Sequence, residues 1–228
     1  MSQEKQNAAR TAVDQIEDRM LVGLGTGSTA AFAISYLGEK VRSGLTISAI
    51  PTSEASKKQA QSEGIPLIDF ETSPSIDLCI DGADEIDSEL NMIKGGGGAL
   101  LREKIVASSA KRYLIIIDSS KQVETLGTFP LPVEVIPFGW QVVSRKLKEM
   151  NASPELRKSG PQPFVTDEGN YILDCRFNSI PEVEQLEAEL NRIPGVVENG
   201  LFVDMCDQMI MGKGDQVILK ERRGIFQQ

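Results

Sequence analysis

The sequence predicts a two-part α/β protein: a parallel sheet covered by helices on both faces, followed by a smaller α+β part. Two observations predict the first part. Short continuous apolar runs alternate with helix-length segments up to about residue 120, the pattern of strands buried on both faces. Each of the four runs also empties into a polar or glycine-rich loop. A third observation predicts the second part, because beyond residue 130 the order of elements changes to β-α-β-β-α-β.

Taken in order, residues 6–19 carry Ala8, Ala12, Val13 and Ile16 at helical spacing. Met20 to Leu24 reads as a strand running into GLGTGST, and a helix follows from about Thr29 to Arg42. Thr46 to Ile50 is a strand, followed by PTSEAS and a helix to about Glu63. Ile76 to Ile80 is a third strand, leading into DGADEID. After KGGGG comes a helix over 99–110, then a fourth strand from Tyr113 to Ile117 that ends in DSSK. Parallel strands place all four loops on one sheet edge, where ligands of such sheets bind.

In the second part, LPVEVI forms a strand and a helix runs to about Met150. Phe164–Val165, the turn TDEGN and Tyr171 to Phe177 read as a hairpin. A helix from Pro181 to Arg192 and a strand in GVVENGLFV complete a ferredoxin-like unit. The expected boundaries are 130–206 for this smaller domain and 1–129 plus 207–228 for the larger. Gln216 to Lys220 is expected to return to the larger one as a strand.

The 228 residues include no histidine, which excludes Ser–His–Asp and Cys–His nucleophilic machinery and removes the usual zinc, copper and iron ligand. A general base must come from Asp, Glu, Lys, Tyr or Cys. Cys79, Cys175 and Cys206 lie far apart without CxxC spacing and read as buried reduced thiols. A net charge of −9 with no basic stripe argues against nucleic acid and anionic membranes as partners. No apolar run approaches the roughly 20 residues of a membrane helix, and the charged first residues do not resemble a signal peptide. The expectation is a cytoplasmic protein.

Four segments are candidates for chemistry. Gly23 to Thr29 lies between a strand and a helix, where backbone N–H groups and the hydroxyls of Thr26, Ser28 and Thr29 suit an anion. It lacks the last glycine of the dinucleotide fingerprint and the lysine of a P-loop, so a phosphate monoester fits better than NAD or ATP. A purely structural turn is the competing reading. DGADEID puts four acids within seven residues. Asp81 and Asp84 are taken as functional, facing sugar hydroxyls or moving a proton; a magnesium site is the rival. Glu85 and Asp87 are taken as a solvated turn.

KGGGGALLREK combines four consecutive glycines with a helix start and Lys94 as a cation at the loop mouth. Glu103 has Ala99, Leu100, Val106 and Ala107 at helical neighbour positions, a setting that would desolvate it and raise its pKa toward that of a neutral-pH base. Arg102 has similar neighbours, so spacing alone does not single out Glu103, and by spacing alone a surface charge on a helix is the stronger reading. In DSSK, Lys121 is one more cation at the sheet edge, or the segment is a capped helix start.

Together and in this order, GLGTGSTA, DGADEID, KGGGGALLREK, DSSKQ, FPLPVEVIP and VTDEGNYILD resemble the type A ribose-5-phosphate isomerases, along nearly the whole chain. The resemblance implies a Rossmann-like domain with a smaller α/β domain, assembly as dimers or tetramers, and no metal or organic cofactor. It implies aldose–ketose isomerisation of ribose 5-phosphate and ribulose 5-phosphate through a cis-enediolate. By matching position, Glu103 is the base, with Asp81, Asp84 and Lys94 beside it. Thr26, Gly27, Ser28, Thr29, Asp81, Gly82, Ala83, Asp84, Lys94, Gly95, Gly96, Gly97 and Lys121 are substrate-binding. Lys5 corresponds to an amino-terminal lysine near the phosphate. Two alternatives make different predictions: a phosphosugar sensor binds without turnover, and an NAD-dependent dehydrogenase binds nicotinamide.

Overall fold

The computed structural model describes residues 2–72 and 75–222, which group into two compact units. The first draws on Met1–Gly82, Ile105–Lys121 and Asp204–Gln228, and the second on Ala83–Lys104 and Gln122–Val203. The fold class is the one expected, a Rossmann-like sheet and a ferredoxin-like unit. The second unit differs from the segment 130–206: residues 83–104 and 122–129 group with it, while 204–206 group with the first unit.

The first unit holds a six-stranded sheet in the order Gln216–Glu221, Gln208–Lys213, Tyr113–Asp118, Leu78–Asp81, Leu21–Leu24, Ser48–Pro51. Every neighbouring pair is parallel except the two carboxyl-terminal strands, which form an antiparallel hairpin. Strand residues alternate between faces. Val22, Leu24, Leu78, Ile80, Leu114 and Ile116 share one core cluster with Ala8, Ala12, Ile34, Leu37 and Ala60 of helices Ser2–Val13, Ser28–Arg42 and Glu54–Ser62. Gly23 faces the other way, where a side chain would meet Val106 of helix Leu100–Ser108 at 2.8 Å. Helices therefore lie on both faces. Leu21–Leu24 sits between the second and third strands in chain order, which makes its carboxyl end the topological switch point.

In the second unit, strands Val196–Asn199, Leu131–Val135, Tyr171–Arg176 and Ser153–Leu156 lie side by side in that order, all antiparallel. With helices Trp140–Glu149 and Val183–Asn191 this is the ferredoxin-like order 4-1-3-2. Its core joins Leu131, Val133, Val135, Leu173 and Cys175 to Val143, Leu147 and Leu190. A three-stranded sheet of Leu201–Phe202, Met92–Ile93 and Glu85–Ile86 completes the unit.

One expectation needs correction, and one strand has no counterpart in the sequence reading. The expected hairpin of 164–165 with 171–177 is absent: Tyr171–Arg176 pairs with Leu131–Val135 and with Ser153–Leu156. SPEL, half charged or proline, gave no apolar signal, because as an edge strand it buries little side-chain surface. Gln208–Lys213, a buried strand beside Tyr113–Asp118, was also not anticipated.

Candidate active site

In the first unit the predicted residues gather at the carboxyl edge of the sheet. Strand Leu21–Leu24 gives way to Gly25 and Thr26, and helix Ser28–Arg42 begins after Gly27, whose φ is +112°. Asp81 ends the adjacent strand and is fully buried. Its Oδ1 accepts the N–H of Thr26 at 3.0 Å and of Gly82 at 2.7 Å, while the Tyr113 hydroxyl donates to Oδ2 at 3.4 Å. This approach requires glycine at position 25, since a Cβ there would lie 2.1 Å from Asp81 Oδ1. The Thr26 hydroxyl donates to Ser53 Oγ at 2.8 Å and lies 2.7 Å from Thr52 Oγ1, linking the glycine loop to the PTSEAS loop.

Thr29 is buried in the first turn of its helix. Lys5 donates to Ser28 Oγ at 2.9 Å and lies 3.7 Å from Asp118 Oδ2. Burial pushes the Asp118 carboxyl up, but hydrogen bonds from Ser120 and the charges of Lys5 and Lys121 outweigh it, so its pKa ends below the usual carboxylate value. Lys121 closes the short 3-10 turn Ser119–Lys121.

The acidic segment passes from one unit to the other between Gly82 and Ala83. Glu85 is not solvated as expected. It is buried, and its carboxylate accepts the N–H groups of Gly127 at 2.8 Å and Phe129 at 2.5 Å, pinning the 127–129 loop. Asp87 does cap a turn, accepting from the amides of Glu89 and Asn91.

In the second unit, Asp84 and the KGGGG loop interlock. Asp84 Oδ2 accepts the Gly96 N–H at 2.7 Å, and a Cβ on Gly96 would fall 2.6 Å from that carboxylate. The Lys94 N–H donates to Gly200 O at 2.9 Å, joining the loop to the three-stranded sheet. Lys94 is not at an open loop mouth: its side chain is 2% exposed, with the ammonium 3.5 Å from Glu103 Oε2 and 5.3 Å from the centre of the Phe202 ring. Glu103 stands in the first turn of helix Leu100–Ser108, its side chain 4% exposed. The adjacent Arg102 is partly exposed and pairs with Asp167 and Glu168, so the structure separates two residues that spacing did not. Lys104 is held by Glu198 Oε1 at 2.7 Å and Asn199 O at 2.8 Å; burial lowers its pKa, against the pull of Glu198. Gly96 and Gly97 are exposed, Ala83 and Asp84 half-buried.

A buried carboxylate can accept a proton from carbon, and the buried ammonium it contacts can stabilise the oxyanion that forms. Tyr113, Thr52, Ser53 and Phe202 went unrecognised in sequence. Only PTSEAS gave a signal, as a polar loop at a strand end.

The sequence profile of the family described as ribose 5-phosphate isomerase A (phosphoriboisomerase A) matches residues 48–216. The chain belongs to that family. It is 56% identical over 209 residues to the ribose-5-phosphate isomerase A of Gloeobacter violaceus, covering 91% of each chain. The solved structure of ribose 5-phosphate isomerase A from Methanocaldococcus jannaschii superposes with a TM-score of 0.91 at 41% identity, covering 95% of this chain and 97% of that one. A second, described as D-ribose-5-phosphate isomerase in complex with phospho-erythronic acid, gives a TM-score of 0.92 at 42% identity over 96% and 97%. Among the described residues, no helix of this ribose 5-phosphate isomerase A family member is long and apolar enough to cross a membrane.

Proposed function

We propose that the protein interconverts D-ribose 5-phosphate and D-ribulose 5-phosphate, the isomerase step of the non-oxidative pentose phosphate pathway, with Glu103 as the proton-transferring base. Besides membership of the family, one observation carries the residue assignment: the buried contact between Glu103 and Lys94. After the sugar ring opens, Glu103 removes the C2 proton of the aldose and returns it to C1 by way of a cis-enediolate. Negative charge develops on oxygen in that intermediate, where the Lys94 ammonium and the amides of Gly95 and Gly97 stabilise it, the Gly96 amide being held by Asp84. Asp81 and Asp84 assist proton movement at the sugar hydroxyls, Asp84 being the more exposed of the two. Thr26, Gly27, Ser28, Thr29, Gly82, Ala83, Lys121 and Lys5 complete the binding set. The switch-point position of the glycine loop supports a phosphate-binding role for it.

The phosphorylated sugar acid named for one relative supports the same chemistry, since a carboxylate resembles an enediolate in shape and charge. The reaction needs no metal if Lys94 supplies the positive charge. We read the enzyme as cytoplasmic and as a homodimer or homotetramer, which light scattering checks. Ketose formation from ribose 5-phosphate tests the reading; binding without turnover contradicts it.

A further inference from the structure

On strand Tyr171–Arg176, Leu173 and Cys175 enter the core, so Asp174 projects from the opposite face of the sheet. There its two oxygens take the Nε and Nη2 protons of Arg157 as a bidentate pair. The remaining arm of the guanidinium, Nη1, donates to the carbonyl oxygens of Gly95 at 2.9 Å and Gly96 at 3.2 Å. The guanidinium also lies 5.8 Å from the centre of the Phe164 ring, which limits its swing. Neither Arg157 nor Asp174 figures in the chemistry above, yet together they hold two consecutive carbonyls of the loop that carries Lys94.

A trans peptide points its N–H opposite to its C=O, and no described peptide is cis. Turning the Gly95 carbonyl toward Arg157 directs the Gly96 N–H away from it, and that N–H is the one Asp84 receives. Turning the Gly96 carbonyl likewise directs the Gly97 N–H away from the guanidinium, at an exposed point of the loop. Glycines have no intrinsic preference that would fix these peptide planes, so an outside group has to. We propose that Arg157, braced by Asp174, is a positioning residue that sets the peptide planes of Gly95–Gly97, so that the Gly96 N–H stays on Asp84 and the Gly97 N–H is presented to the developing oxyanion.

The proposal rests on the isomerase reading and is tested on the full chain with ribose 5-phosphate. Arg157→Ala is expected to lower kcat by about 10²-fold, the scale of a misplaced catalytic group, with KM changing far less. The folded fraction, followed by circular dichroism, stays at the wild-type level at the assay temperature. Guanidinium chloride well below its unfolding range is expected to restore part of kcat in this variant and not in wild type, a response that mere loss of stability would not produce. Folded Arg157→Ala with wild-type kcat overturns the proposal. If that variant does not fold, Arg157→Lys decides, because lysine keeps the charge but cannot grip Asp174 and two carbonyls together. A kcat well below wild type supports the role; an unchanged kcat overturns it. An inactive wild type would instead contradict the isomerase reading itself.

Discussion

The Lys94 ammonium lies 3.5 Å from Oε2 of Glu103, and both side chains are almost wholly out of water, at 2% and 4% exposed. Bare burial of either charge would be strongly unfavourable, so each makes the other tolerable in the fold. In the proposed reaction the same arrangement would set the proton acceptor and the oxyanion stabiliser side by side.

Removing Lys94 therefore affects both stability and activity. Lys94→Met leaves a buried carboxylate without its cation, and urea unfolding at neutral pH should show a loss of about 3–5 kcal/mol. In a Glu103→Gln background the same substitution should cost much less, because no buried charge is stranded. Equal losses in the two backgrounds would show that the two groups are not coupled.

Gly25 is a test of close approach. A methyl group there would collide with the Asp81 carboxylate and lie 2.5 Å from its Cα. Gly25→Ala should lower stability by about 1–3 kcal/mol, the usual range for overpacking, and raise KM by displacing the Thr26 amide. Urea unfolding together with steady-state kinetics would check this.

Glu134 gives a pH prediction. It is buried on strand Leu131–Val135, and its Oε1 accepts from Thr166 Oγ1 and Asn170 Nδ2, both at 2.9 Å. Burial raises its pKa, more than the Asn170 and Thr166 hydrogen bonds lower it. A raised folded pKa means that its contribution is fully present below the unfolded value of about 4.3 and is lost as pH rises through the folded pKa. Glu134→Gln keeps a carbonyl oxygen for both donors and removes that loss. Urea midpoints from pH 4 to 8 should shift progressively in the variant's favour, whereas a constant offset would contradict the assignment.

Much of this was legible in the sequence, for physical reasons. The runs LVGL, LCID and YLIIID announce themselves because a strand buried on both faces must be apolar throughout. Two-residue strands such as Glu85–Ile86 and Met92–Ile93 are too short to carry a period, so the sheet that holds Lys94 left no trace. In sequence Glu85 reads as a solvated charge and Lys94 as a cation at an open loop mouth, because their partners, the amides of Gly127 and Phe129 and the Glu103 carboxylate, are fixed by tertiary structure. For the same reason helix spacing did not separate Arg102 from Glu103. What separates them is the turn at Asp167 and Glu168, which draws only Arg102 outward.

The most direct test is ketose formation from ribose 5-phosphate in excess chelator, comparing wild type with Glu103→Gln. The expected result is undiminished wild-type turnover and a variant slower by about 10²–10⁴ with little change in KM, the scale of a lost general base. A Glu103→Gln enzyme turning over within a few-fold of wild type would contradict the assignment of Glu103 as the group that moves the proton.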